Sequence, residues 1–217
     1  MRFGALVLDF GGVISRTLFE THDQTEAALG LPTGTLQWRG PFAPDTDAAW
    51  RDMQAGRMSE RDYWQLRTRE VGRLLGEDWS EMQTLVQRAR GADPDRVARP
   101  ETLALMRDAR AAGLRLAILS NELDLFYGAD LRERMRALNE VEVIVDATYT
   151  GILKPDPRAY ALCTQRLGLA PEDCVFIDDQ MRNVTGSAAV GMTALWFDVT
   201  KPRASCDAAR RAMGLAG

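Results

Sequence analysis

A short apolar run that ends in a carboxylate constrains this chain most. Residues 5–8 are Ala-Leu-Val-Leu, Asp9 follows them, and Gly11 and Gly12 come after one further residue. A run of this length predicts a buried strand, here over residues 3–9. Asp9 then lies at the carboxyl end of that strand, where open α/β sheets build their binding sites. The glycines allow a tight turn that brings main-chain N–H groups close to a ligand.

Further apolar runs follow in the second half of the chain, and helical patterns separate them. The predicted strands after the first are residues 116–119, 141–145, 174–177 and 193–197. The helical patterns between them cover residues 100–112, 123–138, 157–167 and a short stretch before Gly191. Strands that alternate with helices imply parallel pairing with right-handed crossovers. We therefore predict an α/β fold with a doubly wound parallel sheet.

The strand signal disappears between the first strand and residue 95. This segment carries several helical patterns, one of which begins at Ser59, where Ser59 and Asp62 resemble a capping box. We predict a core domain from residues 1–15 and 96–217, with a small helical domain, residues 16–95, inserted after the first strand.

Composition and net charge limit the classes of binding partner that this chain is expected to have. The chain has 217 residues, a formal net charge of -4 and basic residues spread along its helices, which disfavours a nucleic-acid partner. No apolar run approaches the roughly 18 residues of a membrane span, and the amino terminus has no signal-peptide pattern. We expect a cytoplasmic protein that binds neither nucleic acid nor membrane.

Cysteine and histidine contribute little to the predicted chemistry. The three cysteines are widely spaced, so no zinc or redox motif is indicated, and Cys163 and Cys174 are predicted to be core residues. The one histidine, His22, is predicted to lie at the surface. Chemistry that needs a Ser-His or Cys-His pair is therefore disfavoured.

Polar side chains end three of the predicted strands. Asp9 ends the first, Ser120-Asn121 the second and Asp178-Asp179 the fourth, while Lys154 precedes a helix. In a parallel sheet these ends share one edge. Carboxylate oxygens in this number suit Mg²⁺, and phosphoryl transfer needs a metal, a cation and a positioned nucleophile. A carboxylate can itself be that nucleophile.

With these motifs the sequence resembles the haloacid dehalogenase superfamily, in its phosphatase-type branch. The first motif matches Asp9-Phe10-Gly11-Gly12-Val13, and the later motifs match Ser120, Lys154 and the pair Asp178-Asp179. The helical insert resembles the type 1 cap of that family, whose core is Rossmann-like. Within this insert, the segment around Arg57 resembles a cap loop that faces the active site.

The resemblance implies a role for each of these residues. Asp9 would be the nucleophile, Ser120 would donate to a phosphoryl oxygen, and Lys154 would neutralise charge and keep Asp9 ionised. Substrate binding falls to Asn121, Gly12 and Arg57. The implied Mg²⁺ ligands are Asp9, the carbonyl of Gly11, Asp179 and Asp178, with Asp179 as the preferred direct ligand of the pair. Asn183 would support the loop of the fourth motif.

The chain departs from the family at Gly11. The usual motif has a second Asp at this position, which acts as general acid and base, and losing such a group costs on the order of 10²–10⁴-fold in rate. Three alternatives remain: a substrate with a good leaving group, such as an anomeric sugar phosphate; a water molecule in the vacant space; or another side chain. Glu122 is the candidate side chain, although an exposed residue at a helix start is the more common state of such a glutamate.

The leading hypothesis is a Mg²⁺-dependent phosphatase that acts on a small phosphorylated metabolite, possibly a sugar phosphate, through an aspartyl-phosphate intermediate. One alternative is a dehalogenase-type hydrolase in which Asp9 attacks carbon. Another is a non-catalytic phosphatase-like protein that binds a ligand. Trp38, Phe42 and Trp79 fit either the core of the helical domain or the face of a homodimer.

Overall fold

The computed structural model describes residues 3–91 and 93–215, and its centre is a parallel sheet. The strands are β1 (Ala5–Leu8), β2 (Arg115–Ser120), β3 (Val143–Asp146), β4 (Cys174–Asp178) and β5 (Thr193–Trp196). Their order across the sheet is β3-β2-β1-β4-β5, and every neighbouring pair is parallel. The predicted α/β fold with a doubly wound parallel sheet is confirmed.

Helices account for most of the remaining described residues. They are α1 (His22–Ala28), α2 (Ala48–Gln54), α3 (Glu60–Leu74), α4 (Met82–Arg90), α5 (Pro100–Ala111), α6 (Leu123–Tyr127), α7 (Leu131–Arg134), α8 (Ala147–Thr150), α9 (Pro157–Leu167), α10 (Met181–Ala189) and α11 (Pro202–Met213). Short 3₁₀ turns connect several of them.

The strand β1 occupies the centre of the sheet. Leu8, its last residue, pairs with Ile118 of β2 on one side and with Ile177 of β4 on the other. Asp9 therefore leaves the sheet between the carboxyl ends of these two neighbours. The chain order reverses at this point, since β2 follows β1 on one side and β4 lies on the other, and open α/β sheets form their ligand crevice at such a switch.

Both faces of the sheet are covered, which explains why its strands are apolar throughout rather than alternating. Every residue of β1 is fully buried. Val7 and Phe176 belong to one cluster with Tyr160 and Cys163 of α9. Residues one step along each strand point to the opposite face.

Helix boundaries in this part of the chain follow local sequence rules. The carboxylate of Asp156 accepts a hydrogen bond from the N–H of Arg158 at the start of α9, Pro157 occupies the first turn, and Gly168 ends the helix in the left-handed conformation. Pro100 likewise occupies the first turn of α5.

The helix predicted over residues 123–138 is instead broken into α6, α7 and a 3₁₀ turn at Arg136–Glu140. Gly128 lies between α6 and α7 with a φ of +85°, a left-handed conformation that interrupts the right-handed helix and favours glycine. The apolar spacing of this segment therefore does not correspond to one continuous helix.

The chain divides into two compact units. Among the described residues, the sheet unit contains 3–16, 97–123 and 135–215, and the helical unit contains 17–91, 93–96 and 124–134. Residues 124–134, which the sequence analysis placed with the sheet, group with the helical unit through contacts such as that between Phe126 and Trp64, whose ring centroids lie 5.8 Å apart.

The helical unit has its own apolar core. Trp38 and Trp79 are buried in this core, whereas Phe42 is exposed. Phe19 packs edge-on against Trp38 and Trp50, with centroids 5.8 and 5.2 Å apart. The hydroxyl of Ser59 accepts a hydrogen bond from the N–H of Asp62, so the predicted cap at the start of α3 is confirmed.

Cys163 and Cys174 are buried free thiols, as predicted, and burial raises the pKa of Cys163 to about 12.

Within residues 3–91 and 93–215, no helix has the length and hydropathy that crossing a bilayer requires.

Candidate functional site

Three sequence-predicted residues meet at the carboxyl edge of the sheet. Asp9 follows β1, Asp178 ends β4, and Lys154 comes from the segment before α9. The Nζ of Lys154 donates to Oδ1 of Asp9 at 2.7 Å and to Oδ2 of Asp178 at 2.6 Å. All three side chains are largely or fully buried. One ammonium group thus joins Asp9 and Asp178, which lie 145 and 24 positions away from Lys154 in the sequence.

The ammonium group is held in its charged form by these neighbours. Burial alone lowers the pKa of Lys154, but the negative charges of Asp178 and Asp9 and the hydrogen bonds to both carboxylates outweigh it, and the net pKa is raised. A buried cation of this kind is tolerated because it is paired and hydrogen-bonded on two sides.

Asp178 is fixed on both of its oxygens. Oδ1 accepts from the N–H of Gln180 at 2.8 Å, and Nδ2 of Asn183 lies 3.1 Å from each oxygen. The main-chain carbonyl of Asn183 in turn accepts from the hydroxyl of Tyr160 at 2.8 Å. Asn183 therefore supports the end of β4, which is the role that the resemblance implies for it.

Asp179 completes an acidic group at the same edge. One oxygen each of Asp9, Asp178 and Asp179 lies within 4.8 Å of the others. The Nε2 of Gln180 donates to Oδ2 of Asp179 at 3.2 Å, and the indole Nε1 of Trp196 donates to the main-chain carbonyl of Asp179 at 2.9 Å.

These residues fit a divalent cation. Asp9, Asp178 and Asp179 bring three carboxylates within reach of one ion, and Lys154 bridges two of them, so a divalent cation would find several negatively charged ligands together. Oxygen atoms are also the donors that Mg²⁺ prefers. Among the described residues, Oδ1 of Asn183 is a buried acceptor with no donor, as a site for a metal-bound water would require.

Asn121 acts on the main chain of Lys154. Its Oδ1 accepts from the N–H of Lys154 at 2.7 Å, and its Nδ2 donates to the carbonyl of Lys154 at 3.1 Å. This pair of bonds fixes the backbone from which the ammonium extends. The contacts favour a positioning role for Asn121, whereas the sequence analysis assigned it to substrate binding.

Ser120 and Glu122 flank Asn121 and are both buried. Ser120 is the last residue of β2, and its Oγ accepts a long hydrogen bond of 3.4 Å from the N–H of Glu122. The more common state considered for Glu122, an exposed glutamate at a helix start, is wrong for this chain, since only 6% of the residue is exposed.

The two glycines after Asp9 differ in what they require. A Cβ built on Gly11 meets no atom within 4 Å, so this position has room for a side chain. Gly12 is buried with a φ of +79°, a conformation that disfavours any other residue. Its carbonyl accepts from Nη2 of the buried Arg99 at 2.9 Å.

Arg57, the remaining predicted site residue, belongs to the helical unit. It is exposed, and its guanidinium pairs with Asp52 at 2.7 Å. Its assignment to substrate binding stays a prediction.

A second acidic group occurs in the helical unit and does not fit a cation. His22, Asp23 and Glu26 lie within the same 4.8 Å limit, but Glu26 accepts from the N–H groups of Leu36 and Gly34 at 2.7 and 2.8 Å. The guanidinium of Arg39 contacts Nδ1 of His22, so a positive charge is already present.

The surface position predicted for His22 is wrong. The residue is buried, with its ring centroid 5.0 Å from that of Trp38. Burial and the charge of Arg39 lower the pKa of the imidazole.

Sequence reasoning missed Arg99, Tyr160, Gln180 and Trp196. Trp196 lies inside the last predicted strand, residues 193–197, and its apolar surroundings give no sign of the indole hydrogen bond. Gln180 binds its near neighbours Asp178 and Asp179, so its place directly after the acidic pair is a usable signal. Arg99 and Tyr160 depend on contacts between distant segments that no local pattern records.

Comparison with known proteins identifies the family. Residues 3–191 match the haloacid dehalogenase-like hydrolase family, and the chain belongs to it. Phosphatase MT3486 of Mycobacterium tuberculosis is 31% identical over 99 residues, which are 46% of each chain. (S)-2-haloacid dehalogenase 1 of a Pseudomonas species is 28% identical over 179 residues, 76% of each chain.

Solved structures support the same fold. A HAD phosphatase from Thermococcus onnurineus superposes with a TM-score of 0.60 at 19% identity and covers 98% of both chains. The chain spans less than half the length of several curated relatives that it matches, from 8% to 46%.

Proposed function

We propose that the protein is a Mg²⁺-dependent phosphatase that acts on a small phosphorylated metabolite, with sugar phosphates as the first substrates to test. The observation that carries this proposal is the buried Lys154, which bridges Asp9 and Asp178 beside a third carboxylate. Phosphatases among the relatives support it.

The proposed reaction has two displacements on phosphorus. An oxygen of Asp9 attacks the phosphoryl group, the bond from phosphorus to the ester oxygen breaks, and the leaving alkoxide takes up a proton from water or from Glu122. Water then attacks the aspartyl phosphate, which releases inorganic phosphate and restores Asp9. Ser120 is assigned to hydrogen-bond a phosphoryl oxygen.

The residues around Asp9 supply the electrostatics. Lys154 offsets charge on Asp9 and on the phosphoryl oxygens, and it holds Asp9 ionised before attack. Asp9, the carbonyl of Gly11, Asp178 and Asp179 are the proposed metal ligands. Bound Mg²⁺ would neutralise charge that develops on the transferred group.

The test is a screen for phosphate release from sugar phosphates, nucleotides and acyl phosphates, with Mg²⁺ or with EDTA. We expect turnover of at least one substrate that EDTA abolishes. Asp9→Asn should reduce it by about 10³-fold or more, because the variant lacks the nucleophile. Asp173→Asn is the matched control, since Asp173 precedes β4 at the opposite edge of the sheet.

A dehalogenase-type hydrolase is the second candidate. The dehalogenase relative favours it, because that alignment covers 76% of both chains. Carbon-directed attack by Asp9 needs no metal, so the acidic pair Asp178-Asp179 would then lack a purpose. Halide release from 2-haloacids in EDTA, without phosphate release from any ester, would select this function.

A non-catalytic binding protein predicts a third outcome. Neither phosphate nor halide would be released, while inorganic phosphate or Mg²⁺ would still bind in calorimetry. Turnover that persists in Asp9→Asn would remove Asp9 from the mechanism altogether.

A further inference from the structure

Three successive carbonyls after Asp9 are held by the beginning of α5. The carbonyl of Gly12 accepts from Nη2 of Arg99 at 2.9 Å, that of Val13 accepts from Oγ1 of Thr102 at 2.7 Å, and that of Ile14 accepts from the N–H of Arg99 at 2.8 Å. All three bonds are internal to the sheet unit. Arg99, which directly precedes α5, and Thr102, in its first turn, thus bind three consecutive carbonyls of the main chain.

The guanidinium of Arg99 is buried to a degree that arginine rarely shows. Only 2% of the residue is exposed, and burying a charged group is expensive unless it is well bonded. Its Cζ lies 5.3 Å from the ring centroid of Phe197, and the N–H of Phe197 donates to the carbonyl of Asp178 at 2.9 Å. Arg99 therefore lies between the turn after Asp9 and the segment that holds the end of β4.

The turn itself needs such restraint. Gly11 and Gly12 are consecutive, and glycine has the greatest backbone freedom of any residue. A peptide unit is planar, so fixing the carbonyl of Gly12 also fixes the direction of the next N–H. Bonds to the carbonyls of Gly12 and Val13 consequently fix the peptide planes that follow these residues, and the N–H groups of Ile14 and Ser15 bind the carbonyl of Phe10 at 3.0 and 2.9 Å, so Gly11 lies in a turn that is held on both sides.

We propose that Arg99 and Thr102 are positioning residues of the candidate site, which lock the turn at Gly11 and Gly12 in the geometry that binds Mg²⁺ and the phosphoryl group. This inference rests on the proposed function. Arg99 and Thr102 act through the main chain and touch neither the reacting atoms nor the metal.

The sharpest test uses two substitutions at Thr102. Thr102→Val removes the hydroxyl donor at nearly constant volume, and Thr102→Ser keeps it. We expect Thr102→Val to weaken Mg²⁺ binding in calorimetry about tenfold, as substitutions behind metal ligands do. It should lower kcat by a similar factor and leave KM unchanged. Thr102→Ser should stay within about twofold of the wild type because its hydroxyl still donates.

Arg99→Met extends the test to the buried cation. We expect a loss of Mg²⁺ affinity toward the upper end of the roughly 10–100-fold range. Arg107→Met, on the exposed side of the same helix, is the matched control and should behave as the wild type. If Arg99→Met does not fold, the two substitutions at Thr102 decide.

Hydrogen exchange supplies a readout that does not depend on metal or turnover. In the metal-free protein, amides of residues 10–15 should exchange about tenfold faster in Thr102→Val than in Thr102→Ser, because the turn opens more often. A purely structural role would lower the melting temperature and leave Mg²⁺ affinity and kcat of the folded protein intact, which would overturn the proposal.

Failure of the proposed function would look different. If the wild type bound no Mg²⁺ and released no phosphate, the function would be wrong, while exchange at residues 10–15 would still report on the restraint. Equal exchange in Thr102→Val, Thr102→Ser and the wild type would overturn the restraint itself.

Discussion

Each unit of the molecule buries an ionic cluster, one around Lys154 and one around Asp47, and these two clusters are built differently. In the sheet unit, Lys154 bridges Asp9 and Asp178. In the helical unit, Asp47 accepts from the hydroxyl of Tyr63 at 2.7 Å, from Nη2 of Arg67 at 2.6 Å and from the N–H of Trp50 at 2.9 Å.

The cluster around Asp47 satisfies its buried carboxylate with donors of the same unit. One buried carboxylate faces one guanidinium and two neutral donors, and Arg67 also pairs with the half-buried Glu70 at 2.6 Å. Burial, together with the hydrogen bond to Asp47, raises the pKa of Tyr63, so its hydroxyl stays protonated. This arrangement caps α2 and ties it to α3.

The cluster around Lys154 instead gathers carboxylates at one place. Oxygens of Asp9, Asp178 and Asp179 lie within 4.8 Å of one another, Lys154 bridges the first two, and Oδ1 of Asn183 is a buried acceptor for which residues 3–91 and 93–215 provide no donor. The comparison teaches that burial of charge alone does not mark a functional site. What sets the sheet unit apart is a group of carboxylates close enough to share one cation, at the carboxyl edge of a parallel sheet.

Lys154→Met tests this distinction most strongly. Removing the ammonium breaks the ion pair that joins two buried carboxylates, which costs about 3–5 kcal/mol of unfolding free energy. We expect Mg²⁺ to restore part of this loss, because a divalent cation can take over the charge, while phosphatase turnover stays abolished. Urea titrations with Mg²⁺ or EDTA provide the measurement, and no difference between them would argue against a metal site here.

Asp47→Asn is the counterpart in the helical unit. Loss of the carboxylate charge beside Arg67 should lower the unfolding free energy by about 3 kcal/mol, and Mg²⁺ should not restore it. Asp45→Asn, which changes a nearby exposed carboxylate, serves as control. Recovery of Asp47→Asn by Mg²⁺ would mean that metal stabilises the protein without regard to the cluster.

Glu122→Gln tests whether Glu122 donates the proton that the leaving group needs. If Glu122 replaces the acid missing at Gly11, turnover should fall by about 10²-fold, at the lower end of general acid catalysis. Mg²⁺ affinity measured by calorimetry should not change. Steady-state kinetics with Glu172→Gln as control provide the test, and unchanged turnover excludes Glu122 from this role.

Gly11→Asp should have the smallest effect of these substitutions, and it is the one expected to raise turnover. The position has space for a side chain, and an added carboxyl can protonate the leaving group. We expect turnover of esters with poor leaving groups to rise about tenfold, less than a native general acid supplies. Esters with good leaving groups should change little, and comparing the two series of substrates is the measurement.

Much of the sheet unit follows from local sequence. Apolar runs predicted all five strands of the observed sheet, and the polar residues that end the first and the fourth predicted that Asp9 and Asp178 would share an edge. The proline in the first turn of α5 and the glycine after α9 predicted helix ends, because their backbone preferences act within a few residues.

Tertiary contacts account for what sequence reasoning missed. The amide of Asn121 binds the main chain of Lys154, which is 33 positions away, and the hydroxyl of Thr102 reaches Val13 over 89 positions. Contacts over such separations produce no periodic pattern in the sequence. The burial of His22 against Trp38 is of the same kind, since a polar segment gives no sign that an aromatic core will enclose it.

The hydrogen bond from Trp196 to the main chain of Asp179 gives the protein a built-in optical probe. The other tryptophans, Trp38, Trp50, Trp64 and Trp79, are buried in the helical unit, whereas Trp196 is half exposed in the sheet unit. Emission at the long-wavelength edge of the spectrum therefore comes mainly from Trp196. A cation that shifts Asp179 must also disturb this indole, so occupancy of the acidic group is readable by fluorescence, without a label and without a substrate.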